Sequence, residues 1–174
     1  RGDQADPHLM AAAALRPYSF EPNSVLGVFL SQRGKTDDAI KALQRAEILR
    51  PDDLKVATLL ALQLTEGRYY TEAVKLLDRS VKRWPESLDL RLLLIQNYHR
   101  DQKYEKAVQI AEQTVALFPN AARANFEMGY QLVAFGRMQQ AKPYLAKAIQ
   151  LDPEPPDGYV SMGEVLSKED NHAE

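Results

Sequence analysis

The sequence predicts an all-α solenoid of antiparallel helix pairs, and three observations carry this prediction. A proline recurs every 34 residues, at Pro17, Pro51, Pro85, Pro119 and Pro153, although the chain has only 10 prolines. Other positions repeat small or large apolar residues in the same phase. Between successive prolines, two stretches with helical apolar spacing are separated by a short turn. We therefore expect one helix pair in every 34 residues.

The positions that repeat in phase with the prolines are of two kinds, small and large apolar. A position that stays small in every repeat marks the place where two helices cross closely. In this chain the recurring positions are held by Ala39, Ala73, Ala107 and Ala141; by Ala46, Ser80, Thr114 and Ala148; by Leu26, Leu60, Leu94 and Met128; and by Gly27, Ala61, Ile95 and Gly129. We expect leucine at Ala107 or Ala141 to destabilise the fold, because it would overfill these crossings.

Residues that cap and break helices place the helices along the chain. Asp6 and Pro7 suit the start of the first helix, and Ser19, Asp53 and Ser87 are expected to cap later helices. Glycines at Gly34, Gly67 and Gly136 are expected in the turns within pairs, whereas the turn at 101–103 has none. A stiff run at 154–157 leads to the last helix, at 158–168.

A 34-residue period with two helices in each unit resembles the tetratricopeptide repeat (TPR) family along nearly the whole chain. The resemblance implies a superhelical stack of about ten helices with a concave groove that takes peptides or partner helices. It divides the chain into a half repeat at 1–19, full repeats at 20–53, 54–87, 88–121 and 122–155, and a half repeat at 156–174.

The chain departs from the family near the start of the first helix of each repeat. The usual aromatic residue is replaced there by Asn23, Ala57, Arg91 and Asn125, and only Tyr159 restores it. We therefore expect these helix starts to be packed more loosely than in the family. Apolar residues at the two ends of the stack, at Leu9, Met10, Leu15, Met162 and Leu166, are expected to be exposed.

Composition excludes some classes of partner. The net charge of −2 gives no field that would attract nucleic acid or anionic lipid. No apolar run reaches the ~18 residues of a membrane span. The chain has no cysteine, which fits the cytoplasm as well as a periplasmic or secreted location and decides neither. It starts with Arg1-Gly2-Asp3 and not with methionine, so we expect a segment of a larger protein, in which the RGD tripeptide is a coincidence.

The chain carries no recognisable catalytic or metal-binding motif. It has no phosphate-binding glycine loop, no HExxH pair and no G-x-S-x-G elbow. The three histidines, His8, His99 and His172, fall in different repeats without ligand spacing. We therefore expect no catalytic residues, no metal and no cofactor.

The face of each first helix that is spaced i, i+4, i+7 is the candidate binding surface, because this face lines the groove in the family. It carries Ser24, Val28, Ser31; Thr58, Leu62, Thr65; Leu92, Gln96, His99; Phe126, Tyr130, Val133; and Val160, Glu164, Ser167. The candidates for the peptide-binding groove are Leu62, Leu92, Gln96, His99, Arg100, Arg123, Phe126, Tyr130 and Val133. The alternative is that Val28, Leu62, Leu92 and Phe126 are packed edges of the core.

The chemistry of this face suggests what the groove would bind. The paired lysine and asparagine with which some members of the family grip the carboxylate of heat-shock chaperones are absent. Arg100 and Arg123 are expected at the rim, either as solvated surface or as partners of an acidic group. We therefore expect a peptide or helix with apolar anchors and some negative charge.

Three functions remain open on this reading. The first is a non-catalytic scaffold that binds a protein or peptide partner. The second is a regulatory or substrate-recruiting arm of an enzyme whose catalytic domain lies outside this segment. The third is a scaffold that self-associates through exposed repeat ends.

Overall fold

The computed structural model describes residues 5–170, and within that range the chain forms ten α-helices and no strand. The prediction of an all-α chain of about ten paired helices is confirmed. The opening RGD tripeptide and His172 lie outside the described residues. The helices are α1 (Ala5–Leu15), α2 (Phe20–Gln32), α3 (Thr36–Leu49), α4 (Leu54–Glu66), α5 (Tyr70–Arg83), α6 (Leu88–Arg100), α7 (Tyr104–Leu117), α8 (Ala122–Ala134), α9 (Met138–Leu151) and α10 (Pro156–Asp170).

The helices are grouped in two compact units, residues 1–84 and 85–174. In the first unit each helix from α1 to α5 packs on the next, and α2 also contacts α4. In the second unit α6 to α10 pack in the same manner, and α8 contacts both α6 and α10. The first helices of successive pairs are therefore neighbours within a unit, and this brings their equivalent faces together. None of the described helices has the length and apolar character needed to span a membrane.

Two glycines allow the helices of a pair to cross closely. A Cβ atom at Gly27 would lie 2.6 Å from Leu43 Cδ2, and one at Gly129 would lie 2.6 Å from Leu145 Cδ2. A side chain at either glycine would therefore force the opposing leucine to move. In the third pair Ile95 replaces the glycine and Ala111 replaces the opposing leucine, and both are fully buried. The large residue of this crossing therefore comes from the first helix of the pair.

The expectation that the helix starts pack loosely is wrong. Asn23 and Asn125 are fully buried, and each side-chain amide bonds backbone carbonyl groups just before its own helix. Asn23 Nδ2 donates to Pro17 O (3.1 Å) and Ser19 O (2.7 Å). Asn125 Nδ2 donates to Pro119 O (3.0 Å) and Ala121 O (2.9 Å). The carbonyl groups before each helix need donors, and the buried asparagine side chain supplies one at these two helix starts.

In the second and third full pairs, arginine side chains donate the equivalent hydrogen bond. Arg91 Nε donates to Pro85 O at 2.8 Å. Ala57 has no donor, and there Arg83 Nη1, from α5, donates to Pro51 O at 2.7 Å. The carbonyl groups of the first four recurring prolines are therefore all bonded by a side chain. The donor that replaces a side chain at Ala57 comes from another helix, so the sequence around Pro51 gives no sign of this bond.

The turn within each full pair contains one residue in the left-handed conformation, and these residues recur every 34 positions. They are Gly34, Arg68, Gln102 and Gly136, with φ of 68°, 63°, 60° and 77°. Gly67, which was expected to provide the second turn, is right-handed, and the left-handed position falls on Arg68. Glycine occupies this conformation without steric cost, whereas arginine and glutamine do not.

Side chains cap two of the three helices for which caps were expected. Asp53 Oδ1 accepts from Val56 N at 2.9 Å, and Ser87 Oγ accepts from Leu90 N at 3.4 Å. Ser19 stands at the N-cap position of α2 without a side-chain capping bond. Of the apolar residues expected to be exposed, Met10, Leu15 and Leu166 are exposed, whereas Leu9 and Met162 are half-buried. Self-association through these side chains stays a prediction.

Candidate functional site

A pocket of about 390 Å³ opens in the second unit between α6, α8 and α10. It contains five of the nine residues predicted for the groove. Its lining consists of Gln96, His99, Arg100, Phe126, Glu127, Tyr130, Gln131, Asp157, Val160 and Ser161. The pocket exists because the equivalent faces of three successive first helices adjoin.

Aromatic rings form one wall of the pocket. The rings of Phe126 and Tyr130 are nearly parallel, with centroids 6.0 Å apart and an interplanar angle of 29°. The Tyr130 centroid lies 5.5 Å from that of His99, which in turn meets the ring of Tyr104 edge-on at 5.3 Å. Contacts between rings at these distances are favourable. The wall is therefore held in place before any ligand arrives.

A hydrogen-bonded network joins α6 to α8 at the pocket. Gln96 Nε2 donates to Glu127 Oε1 at 2.6 Å, and Gln131 Nε2 donates to Glu127 Oε2 at 3.4 Å. His99 Nδ1 lies 2.8 Å from Gln131 Oε1. Because a carbonyl oxygen only accepts, this geometry makes His99 Nδ1 the donor. The Glu127 carboxylate is thus held by two amide groups and, through Gln131, by the imidazole.

Burial sets the electrostatics of Glu127, whose residue surface is only 7% exposed. Removal from water raises the pKa of this carboxyl group, while the hydrogen bonds from Gln96 and Gln131 and the electrostatic interactions with His99 and Arg123 oppose the rise. Among the side chains that the structure describes, no three histidine or carboxylate groups converge in a way that could hold a metal ion.

Reasoning from the sequence missed Glu127, although the repeat contained a signal for it. The equivalent positions in the three preceding repeats carry the aliphatic residues Val25, Leu59 and Leu93. A carboxylate at a position that is aliphatic in those three repeats departs from the packing pattern. Gln131, Asp157 and Ser161 were missed as well, because the i, i+4, i+7 face does not include them.

Arg123 lines a second pocket, of about 330 Å³, which shares Gln96, Phe126, Glu127 and Asp157 with the first. Its Nη1 lies 2.9 Å from Asp89 Oδ1, and the two side chains are 67% and 69% exposed. The expected rim arginine is therefore already paired with an acidic group of the protein. Arg100, at the edge of the first pocket, also interacts within the protein.

The remaining three predicted residues lie elsewhere. Leu92 is 1% exposed and Val133 is 7% exposed, so both belong to the interior of the second unit. Leu62 is 39% exposed on α4 of the first unit. These exposures favour the packed-edge interpretation for Leu92, but not for Leu62.

Comparison with known proteins agrees with the repeat structure. Three family profiles described as tetratricopeptide repeat match the chain, at residues 25–87, 64–126 and 122–155. No curated protein matches the sequence significantly.

Several solved structures share the fold. MamA from Desulfovibrio magneticus RS-1 is 21% identical with a TM-score of 0.76, over 87% of this chain and 86% of that one. MamA AMB-1 is 24% identical with a TM-score of 0.75, over 89% and 92%. YrrB, described as a TPR protein with an unusual peptide-binding site, is 18% identical with a TM-score of 0.71, over 94% and 84%.

These likenesses between structures concern the fold alone. The three profile matches are contiguous and together span residues 25–155, and the helices follow the same 34-residue period. The chain belongs to the tetratricopeptide repeat family.

Proposed function

We propose that the protein is a non-catalytic interaction module, which binds a peptide or a partner helix in the pocket between α6, α8 and α10. The observation that carries this proposal is the aromatic wall. Tyr130 stays 40% exposed and is stacked on Phe126 at the mouth of a pocket. Exposed aromatic surface beside a concave site is typical of protein interfaces, where tyrosine often dominates the binding energy.

Two further features support a binding role over a catalytic one. The polar groups of the pocket bond to one another, from Gln96 through Glu127 and Gln131 to His99. Such a network suits recognition by a preformed surface, because its donors and acceptors are already oriented. YrrB, which has the same fold, is described as having a peptide-binding site.

The test uses random dodecapeptides displayed on phage and selected on the immobilised protein. A selected peptide is then titrated against the wild type, Tyr130→Ala and the control Tyr18→Ala, which changes an exposed tyrosine of the first unit. We expect Tyr130→Ala to weaken binding by ~2 kcal/mol, which is about 30-fold, and Tyr18→Ala to have no effect. Normal binding by a folded Tyr130→Ala protein, or no retained peptide at all, would contradict the proposal.

A further inference from the structure

The pocket contains a carboxylate that helix packing does not require. At the position of Glu127 the three preceding repeats use Val25, Leu59 and Leu93 and the last half repeat uses Ser161, so helix packing needs no carboxylate there. Burying a carboxylate costs folding free energy, because the charged group leaves water. A buried charged group that packing does not need, and that lines a pocket, is a candidate for recognition.

The bonds to Glu127 orient its carboxylate without neutralising it. Both direct donors, Gln96 Nε2 and Gln131 Nε2, are neutral amide groups. A carboxylate can accept about four hydrogen bonds, and these two donors occupy one site on each oxygen. The group therefore keeps acceptor capacity and negative charge for a ligand.

The charges around the pocket favour a cation over an anion. Asp157 lines both pockets, as Glu127 does, and Asp152 lines the second. The guanidinium of Arg123 is bonded to Asp89, and Arg100 is also engaged within the protein. The two linings therefore hold three carboxylates, Glu127, Asp152 and Asp157, and two guanidinium groups, both of which already interact within the protein. This balance reverses the charge that the sequence suggested for the ligand.

The aromatic wall fits the methylene groups of a lysine or arginine side chain. Lysine and arginine lay their methylene groups on apolar surface while the charged head reaches a polar partner. The faces of Phe126 and Tyr130 provide that surface, and a cation close to an aromatic ring is attracted to it as well. The wall and the carboxylate line one pocket.

We propose that the pocket recognises a lysine or arginine side chain of the bound peptide. Its cationic group bonds the Glu127 carboxylate, and its methylene groups lie against Phe126 and Tyr130. This inference rests on the proposed function and adds to it the chemical class of the ligand.

The experiment repeats the selection from random dodecapeptides on the wild type, Glu127→Gln and Glu112→Gln. The last variant makes the same chemical change at an exposed position of α7, outside both pockets. We expect lysine or arginine to be enriched at one position of the peptides retained by the wild type and by Glu112→Gln. The enrichment should disappear with Glu127→Gln, while apolar residues remain enriched.

A titration then measures the interaction between Glu127 and the basic residue of the peptide. One selected peptide is compared with its variant in which norleucine replaces the basic residue. The wild type should lose about tenfold or more in affinity for the norleucine peptide, and Glu127→Gln should bind both peptides equally. If Glu127→Gln keeps the full preference, or if the wild type selects acidic peptides, this inference is overturned while the proposed function stands. If the wild type retains no peptide above background, both are overturned.

A second variant guards against loss of folding. If the helical circular dichroism of Glu127→Gln differs from that of the wild type, Glu127→Leu takes its place, because leucine is the residue at this position in two other repeats. The same loss of preference for a basic residue is expected. A retained preference in Glu127→Leu overturns the inference.

Discussion

The helices α4 and α8 are the first helices of the second and fourth full pairs, one in each unit, and they share a buried face but differ on the opposite one. Toward their partner helices both carry apolar residues, such as Leu60 and Leu64 in α4 and Met128 and Leu132 in α8. On the outer face, Leu62 and Tyr130 stand at the same repeat position and are exposed to nearly the same extent, 39% and 40%. This exposed position therefore holds an aliphatic side chain in the first unit, and in the second unit an aromatic side chain with a hydroxyl group.

The glutamines next to these residues show how partners change the role of one amino acid. Gln63 and Gln131 also stand at equivalent positions, and both are buried. Gln63 Nε2 bonds Glu66 at 2.7 Å, but its buried carbonyl oxygen has no donor. Gln131 bonds both Glu127 and His99, so its donor and its acceptor are both used. Positions shared between repeats build the fold, and specificity arises where the neighbours of such a position differ.

The largest expected effect tests the shared core. Leucine in place of Ala141, or of its counterpart Ala39 in the first unit, should lower stability by ~1–3 kcal/mol, because both alanines are fully buried at helix crossings. Urea unfolding followed by circular dichroism measures both losses. If one variant is as stable as the wild type, the two units do not share the same close crossing.

A smaller effect on the free energy of unfolding should distinguish Gln131 from Gln63. Gln131→Met should cost ~1–2 kcal/mol, because it removes bonds to a buried carboxylate and to an imidazole. Gln63→Met should cost about 0.5 kcal/mol or less, because the lost bond to Glu66 is offset by removal of an unpaired buried oxygen. The same unfolding curves compare them. Equal losses would mean that the network around Glu127 adds nothing to stability.

The smallest expected effect is a dependence of stability on pH that comes from Glu127 of the second unit. Because burial raises the pKa of Glu127, the folded state holds its proton more tightly than the unfolded state. Stability should therefore fall as the pH rises from the ordinary glutamate value of 4.5 through the raised folded value, above which the loss is complete.

The control for this effect keeps every other group the same. The groups that act on Glu127 are Gln96 and His99 of α6 and Arg123 and Gln131 of α8, and Asp157 of α10 lines the same pocket. Thermal midpoints of the wild type and Glu127→Gln are measured across this pH range, and the wild type should show the steeper fall. Parallel curves would show that Glu127 titrates alike in the folded and unfolded states.

The sequence predicted the fold more completely than the site. The recurring prolines and alanines determine pairs of helices locally, and the structure confirms ten helices in the described range. The boundaries of the repeats stay a prediction. For the site, five predicted residues line one pocket, whereas Leu92 and Val133 are buried. An i, i+4, i+7 face is defined by one helix, but its exposure depends on the neighbouring helices.

The sequence by itself determined the helix period, the number of pairs and the positions of close crossing, because these depend on residues near each other in the chain or on a fixed register. Only the tertiary structure decided which side chains meet across helices. It brought Gln96 to Glu127 and Arg123 to Asp89, across 31 and 34 residues of sequence. Such contacts follow from the way that neighbouring first helices are packed, and the charge of the pocket depends on them.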